Sequence, residues 1–322
     1  MLTARHRFML LSVFILTAAL TFFSSLDFSY TVYGVTIDAV RAADPVLPVA
    51  EYRADEDNGA VVLMYHHIVP DDLIDSAANK GNNAVIGLSQ FEEEMAYLAD
   101  NGYTTLLMSE VDTILQSSLP FPEKSVVITF DDGYESNYTL AYPVLQEHSL
   151  KATISAVMIS TVDASANRGD LQQNIPHLTF DQMREMQASG LIEFGSHSYD
   201  GHGLIPTDMQ GRTGKFFVAR RYIAAEGRYE TQDEYKERIA QDLRLSKYVL
   251  ESELGRPVCY FAYPYGASAD DVREVLQQNG YSIAVTTNKG TIDSNSNALK
   301  LNRRNVDQGI SLLTFAELLS VD

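Results

Sequence analysis

The chain has 322 residues, 45% apolar and 21% charged, with 24 Lys plus Arg against 43 Asp plus Glu and a formal net charge of -19. That apolar fraction supplies a packed core and excludes wholesale disorder, and the acidic balance argues against a nucleic-acid binder, which needs cations to displace phosphate counterions. The single cysteine, Cys259, excludes an internal disulfide framework and any Cys-rich metal site.

In chain order, Arg5, His6 and Arg7 precede an uncharged apolar stretch from Phe8 to Leu26. A basic start before such a stretch has the form of an export signal, and the stretch is long enough to span a bilayer. Residues 1–26 therefore read as a signal peptide or membrane anchor. Val40-Arg41-Ala42-Ala43 offers a cleavage-like sequence, well downstream. Residues 27–58, with Pro45, Pro48 and the run Asp55-Glu56-Asp57, read as a linker.

Beyond it, short apolar runs alternate with helical patterns. The runs predict strands at 61–65, 104–107, 125–130, 152–158, 192–195, 258–262 and 282–286. Helices are predicted at 91–99 with Ser89 as N-cap, and at 138–147, 180–189, 232–253 and 269–278. Thr231-Gln232-Asp233-Glu234 carries a capping-box pattern, and Gly255 with Pro257 marks the stop. Such alternation implies an α/β fold with a mostly parallel sheet, open or closed into a barrel, whose chemistry gathers at the carboxyl ends of the strands. One catalytic domain is expected over 59–315, with insertions near 68–88 and 203–230. Asp71, Asp72 and Asp75 in the first insertion read as a solvated acidic loop.

Four strand ends finish in polar residues: His66-His67, Asp131-Asp132-Gly133, Ser196-His197 with His202 shortly after, and Tyr263-Pro264-Tyr265-Gly266. Polar groups clustered at apolar strand ends need a collective reason. A metal supplies one, since two imidazoles and a carboxylate can hold Zn²⁺ while leaving positions open for water and substrate. Taken singly, these pieces are bland: Asp-Asp-Gly is commonly a turn, and His197 and His202 would pass as polar loop residues. His148 and His177 read as surface or loop histidines, Cys259 as a small strand residue, and Asn137-Tyr138-Thr139 as a glycosylation sequon of a kind that arises often by chance.

Together the motifs resemble a known family. Thr129-Phe130-Asp131-Asp132-Gly133, then Ser196-His197-Ser198 with His202, then Phe261-Ala262-Tyr263-Pro264-Tyr265-Gly266 resemble, in order, three motifs of the polysaccharide deacetylases (carbohydrate esterase family 4, the NodB homology group). The five-residue step between His197 and His202, the lack of any later histidine, and the early Met64-Tyr65-His66-His67 are similar to the poly-β-1,6-N-acetylglucosamine N-deacetylases. In that subgroup the catalytic histidine sits on an early strand. The resemblance implies a distorted (β/α) barrel of about seven parallel strands. It implies Asp132, His197 and His202 as metal ligands, Asp131 as general base, His66 in preference to His67 as the acid, and the Tyr265 backbone N–H as an oxyanion donor. The metal would be Zn²⁺, with Co²⁺, Ni²⁺ or Fe²⁺ suited to the same donors.

Two departures stand out. The family's arginine near the third motif is absent from 258–263, and Arg303 or Arg304, after the Leu299-Lys300-Leu301 run, is the candidate to orient the base from a neighbouring strand. The family's fourth-motif tryptophan is absent from a chain with no Trp, so another residue must wall the acetyl pocket. The implied function is metal-dependent removal of N-acetyl groups from an N-acetylglucosamine polymer of biofilm matrix; the N-terminal pattern adds export to the periplasmic or extracellular face, with the enzyme membrane-anchored or secreted. Chitooligosaccharide, peptidoglycan or an O-acetylated glycan is the alternative substrate, and a non-catalytic carbohydrate-binding relative is the alternative class.

Overall fold

The computed structural model describes residues 57–166 and 175–321, together with the backbone of two short strands, Ser29–Val32 and Val35–Asp38. These two pair antiparallel within the unit Met1–Asp44, inside the stretch expected as linker. Residues 1–26, expected as signal or anchor, lie outside the described residues. Among the described ones, no helix is long and apolar enough to cross a membrane.

The unit Pro45–Asp322 is built on an eight-stranded parallel sheet. In chain order its strands are β1 (Ala60–Tyr65), β2 (Thr104–Thr105), β3 (Ser125–Phe130), β4 (Ala152–Ala156), β5 (Ile192–Ser196), β6 (Tyr260–Ala262), β7 (Ile283–Val285) and β8 (Arg304–Asn305). The spatial order is β7-β6-β5-β4-β3-β1-β8, with β2 paired to the first half of β3. Every residue of β1 and of β3 is buried, which is why both read as unbroken apolar runs.

The two edges approach each other through a single segment. Leu301 bridges in parallel to Val285 at the edge of β7, and three residues later Arg304 pairs with Leu63 of β1. The sheet thereby curls into a distorted barrel. All seven strands expected from the sequence are present, some shorter than expected. β8 was not expected: two residues are too few to show a period.

Helices pack outside the sheet: α1 (Leu88–Asp100), α2 (Met108–Ser117), α3 (Tyr142–Glu147), α4 (Met158–Ser165), α5 (Phe180–Ala188), α6 (Gln232–Leu254), α7 (Asp270–Gln278) and α8 (Leu312–Leu318). Sequence periodicity missed α2, α4 and α8. It located α6 well: Thr231 caps it, with Glu234 closing the box, and Gly255 ends it in a left-handed conformation. At α1 the expected cap is corrected. Gly87 is the N-cap residue, and the helix start is held by Asp71, which accepts from the Ser89 N–H at 3.1 Å and its hydroxyl at 2.5 Å. One aspartate of the acidic loop is thus a capping group. The insertion near 203–230 forms two small antiparallel ribbons, Leu204–Pro206 with Thr213–Lys215 and Tyr222–Ile223 with Arg228–Tyr229.

Candidate metal centre

The site grows out of the ends of β1, β3, β5 and β6. β1 and β3 pair up to Tyr65 opposite Phe130, and the Asp131 N–H donates to the Tyr65 carbonyl at 2.9 Å, one step past the strand. That register sets the next residue of each chain side by side, with His66 Nε2 3.9 Å from Asp131 Oδ2.

Asp131 is 2% exposed, a position where a lone carboxylate would be prohibitively costly. Its compensation is Arg303, itself 1% exposed, which donates from Nη1 to Oδ1 at 2.8 Å and from Nη2 to Oδ2 at 2.7 Å. A two-pronged pair of this kind fixes orientation as well as charge. Arg303 is anchored in turn: Nε donates to Thr286 O at 2.8 Å and Nη1 to Thr129 Oγ1 at 3.2 Å. Burial pushes the Asp131 carboxyl up, but Arg303, His197 and His66 outweigh it and hold the group well below the usual carboxylate range.

Of the two arginines expected from the sequence, Arg303 alone meets Asp131. Side chains alternate along a strand, and Arg304 donates to the carbonyls of Leu318 and Ser320 near the end of the chain. The expectation that Arg304 could orient the base is therefore corrected.

Asp132 turns the other way because the backbone does. It has φ 70°, and Gly133 follows with φ 74°, where a Cβ would lie 2.7 Å from Ala156 Cβ. Two successive left-handed residues swing the second carboxylate to the opposite side of the strand end. Asp132 Oδ1 lies 3.4 Å from His197 Nε2 and 3.4 Å from His202 Nε2. The three donor atoms all lie within 4.8 Å of one another. Left-handed backbone also occurs at Ser198 (φ 81°) and Tyr265 (φ 59°), so strained non-glycine residues gather around this cluster.

The donor set suits a divalent ion. His197 Nδ1 lies 2.9 Å from the Ala262 carbonyl, which can only accept, so Nδ1 carries a proton and Nε2 is the nitrogen turned toward Asp132. Burial, then His197, pushes His202 down to about 4, so it is neutral near pH 7. Two imidazole nitrogens thus converge on one carboxylate oxygen. Atoms bound at 2.0–2.1 Å to one tetrahedral Zn²⁺ lie about 3.3 Å apart, close to the two Asp132–histidine spacings of 3.4 Å.

Tyr265 packs on this cluster, its ring centroid 4.5 Å from that of His202 and its hydroxyl donating to the His202 carbonyl at 2.8 Å. His66 is pushed down, chiefly by burial against the pull of Asp131 and Asp132. Its backbone carbonyl accepts from Asn137 Nδ2 at 2.8 Å. Asn137, fully buried in a wide helical turn ahead of α3, therefore holds His66 and is no glycosylation acceptor.

His67 pairs through Nδ1 with Ser136 Oγ at 2.8 Å, a structural contact. His177, read as a surface or loop histidine, lies in the loop before α5 but is buried, its ring 5.0 Å from Tyr134. His148 is half-buried just after α3. Burial pushes the Cys259 thiol up to about 12, in keeping with an inert strand residue.

Comparisons with known proteins agree with the site. Residues 118–284 match the polysaccharide deacetylase family. The chain is 33% identical over 239 residues to the poly-beta-1,6-N-acetyl-D-glucosamine N-deacetylase of Escherichia coli (strain K12), covering 72% of this chain and 34% of that protein; it thus spans about a third of that relative's length. Among solved structures, it resembles a de-N-acetylase from Aggregatibacter actinomycetemcomitans, with TM-score 0.71, 26% identity, and coverage of 80% of this chain and 99% of that one. The BpsB deacetylase domain from Bordetella bronchiseptica gives TM-score 0.66 at 27% identity, covering 81% of this chain and all of the other. With a curled parallel sheet whose motifs meet at one rim, and a family match running through them, the chain belongs to the polysaccharide deacetylase family.

Proposed function

We propose that the chain hydrolyses N-acetyl groups from a β-linked N-acetylglucosamine polymer, poly-β-1,6-N-acetylglucosamine of biofilm matrix, releasing acetate. The observation that carries this reading is the division of two consecutive carboxylates, Asp131 toward Arg303 and His66, and Asp132 toward two histidines.

Asp132, His197 and His202 would hold the divalent ion, Zn²⁺ by their chemistry, with Co²⁺, Ni²⁺ or Fe²⁺ as substitutes. Bound there, the ion supplies Lewis acidity, which lowers the pKa of water and polarises a carbonyl. Arg303 keeps Asp131 ionised at any working pH and aims both its oxygens, at some loss of basicity, so its partner in proton transfer must already be acidic. Asp131 takes a proton from the attacking water. That proton moves on to His66, 3.9 Å away, which delivers it to the sugar nitrogen as the C–N bond breaks. The products balance as acetate and a free amine. The Tyr265 backbone N–H, on the residue packed against His202, is assigned to the oxyanion.

Export, and retention at the membrane through residues 1–26, belong to the same proposal, as does a single catalytic domain over 59–315. They are supported by the basic and apolar N-terminal pattern and by the extent of the barrel.

The test is acetate release from N-acetylated glucosamine oligomers of defined β-1,6 and β-1,4 linkage, with metal content controlled. Faster release from the β-1,6 series supports the full reading. Release from only the β-1,4 series moves the substrate to chitin-like or peptidoglycan chains. No release from any acetylated glycan by folded, metal-loaded protein overturns the enzymatic reading.

A further inference from the structure

The two histidines of the centre are held differently. His197 directly follows β5, is buried, and is tied through Nδ1 to Ala262 O. His202 comes from the loop beyond, with its side chain 25% exposed. A ligand on a loop needs a separate device to fix it, or metal binding must bear the entropy of ordering that loop.

That device lies on one side of α6. Tyr235, Arg238, Asp242 and Ser246 recur at steps of three and four residues and so share a helix face. Tyr235 Oη donates to Phe217 O at 2.5 Å, and Arg238 donates to Phe216 O at 2.8 Å while pairing with Glu230, which fastens the second insertion to the helix. Ser246 Oγ lies 2.6 Å from Ser196 Oγ.

Between them, Asp242 accepts from the Tyr199 N–H on Oδ1 at 3.0 Å and from the Asp200 N–H on Oδ2 at 2.8 Å, and the Gly201 N–H is a third backbone partner. These are the three residues leading into His202. Gly201 is also hemmed in from above, since a Cβ there would lie 2.7 Å from Phe217 Cε2. Asp242 is 9% exposed, so its carboxylate needs compensation. The hydrogen bonds it accepts come from this loop.

We propose that Asp242 is a positioning residue for His202: by gripping the peptide groups of Tyr199, Asp200 and Gly201 it sets the His202 imidazole at its distance from Asp132 and His197. The inference rests on the reading that these three residues hold a divalent ion. It requires Asp242 to act through His202 and not through general stability.

The experiment is Zn²⁺ titration of the full chain against a chromophoric chelator, for the wild type, Asp242→Ala, Asp242→Asn, His202→Ala and the double variant Asp242→Ala/His202→Ala. Loss of an outer partner of a metal ligand typically weakens metal binding about 10–100-fold. That loss is expected for Asp242→Ala. A smaller one is expected for Asp242→Asn, which keeps one acceptor and carries the test should the alanine variant fail to fold. In the His202→Ala background the Asp242 substitution should change affinity by less than about 2-fold, because the ligand it positions is gone. Equal weakening in both backgrounds would make Asp242 a general brace and overturn the proposal. So would wild-type affinity in both Asp242 variants alongside clear loss in His202→Ala. Wild-type affinity in His202→Ala itself would overturn the metal reading first, which separates the two failures.

Discussion

At the end of β3 the chain places two carboxylates in succession, and their surroundings differ in one respect: Asp131 is met by a buried guanidinium, whereas Asp132 is met by two imidazoles. Around Asp131 the charge is closed within the protein, by a guanidinium that is itself bonded to Thr286 and Thr129. Around Asp132 it is left open, because His197 donates its Nδ1–H to Ala262 O and turns its other nitrogen inward. The first arrangement is complete without a ligand; the second asks for a cation. Adjacent residues reach opposite states because Asp131, just past β3, still keeps the strand register through its N–H to Tyr65 O, whereas Asp132 and Gly133 are both left-handed.

The closed side should be the more fragile to substitution. Removing one partner of a buried ion pair leaves the other charge uncompensated, at about 3–5 kcal/mol. Arg303→Ala is accordingly expected to lose about that much stability in urea unfolding. Arg304→Ala removes a cap on two terminal carbonyls and should cost about 1 kcal/mol, with turnover unchanged. Equal losses from the two would break the contrast.

Glu94 supplies a third case: a carboxylate buried with neutral partners. It accepts from Tyr65 Oη at 2.9 Å and Gln90 Nε2 at 2.8 Å, and burial pushes it up from 4.5 to about 7. The folded state therefore binds its proton more tightly than the unfolded state. Glu94 weighs nothing against folding below about pH 4.5, and its penalty grows as pH rises to 7 and is full above it. Glu94→Gln should raise stability at pH 8 by up to about 3 kcal/mol and match the wild type at pH 4. Identical curves across that range would show that neutral donors compensate Glu94 as well as a guanidinium does Asp131.

The sequence made the chemistry of the strand ends legible, because Asp131, Asp132, His197 and His202 sit directly after apolar runs or close behind them. Less local features escaped. Whether Arg303 or Arg304 faces inward depends on which of them pairs with Leu63, a register that a two-residue strand cannot announce. Asn137 matched a surface sequon, and only burial shows it bonded to His66. His177 is the loop residue it looked like, and only its burial escaped. Asp242 is an unremarked polar residue of a long helix until Tyr199 and Asp200 are seen folding back onto it. Each of these depends on long-range contacts, which pattern and propensity do not encode.

The division of labour between the two aspartates is tested most directly by measuring bound metal and acetate release together in Asp131→Asn and Asp132→Asn. Asp131→Asn is expected to keep its metal and lose turnover by about 10²–10⁴-fold, the usual worth of a positioned acid or base, and Asp132→Asn to lose both. Full turnover in Asp131→Asn, or loss of metal from it to the same extent as from Asp132→Asn, would contradict the account.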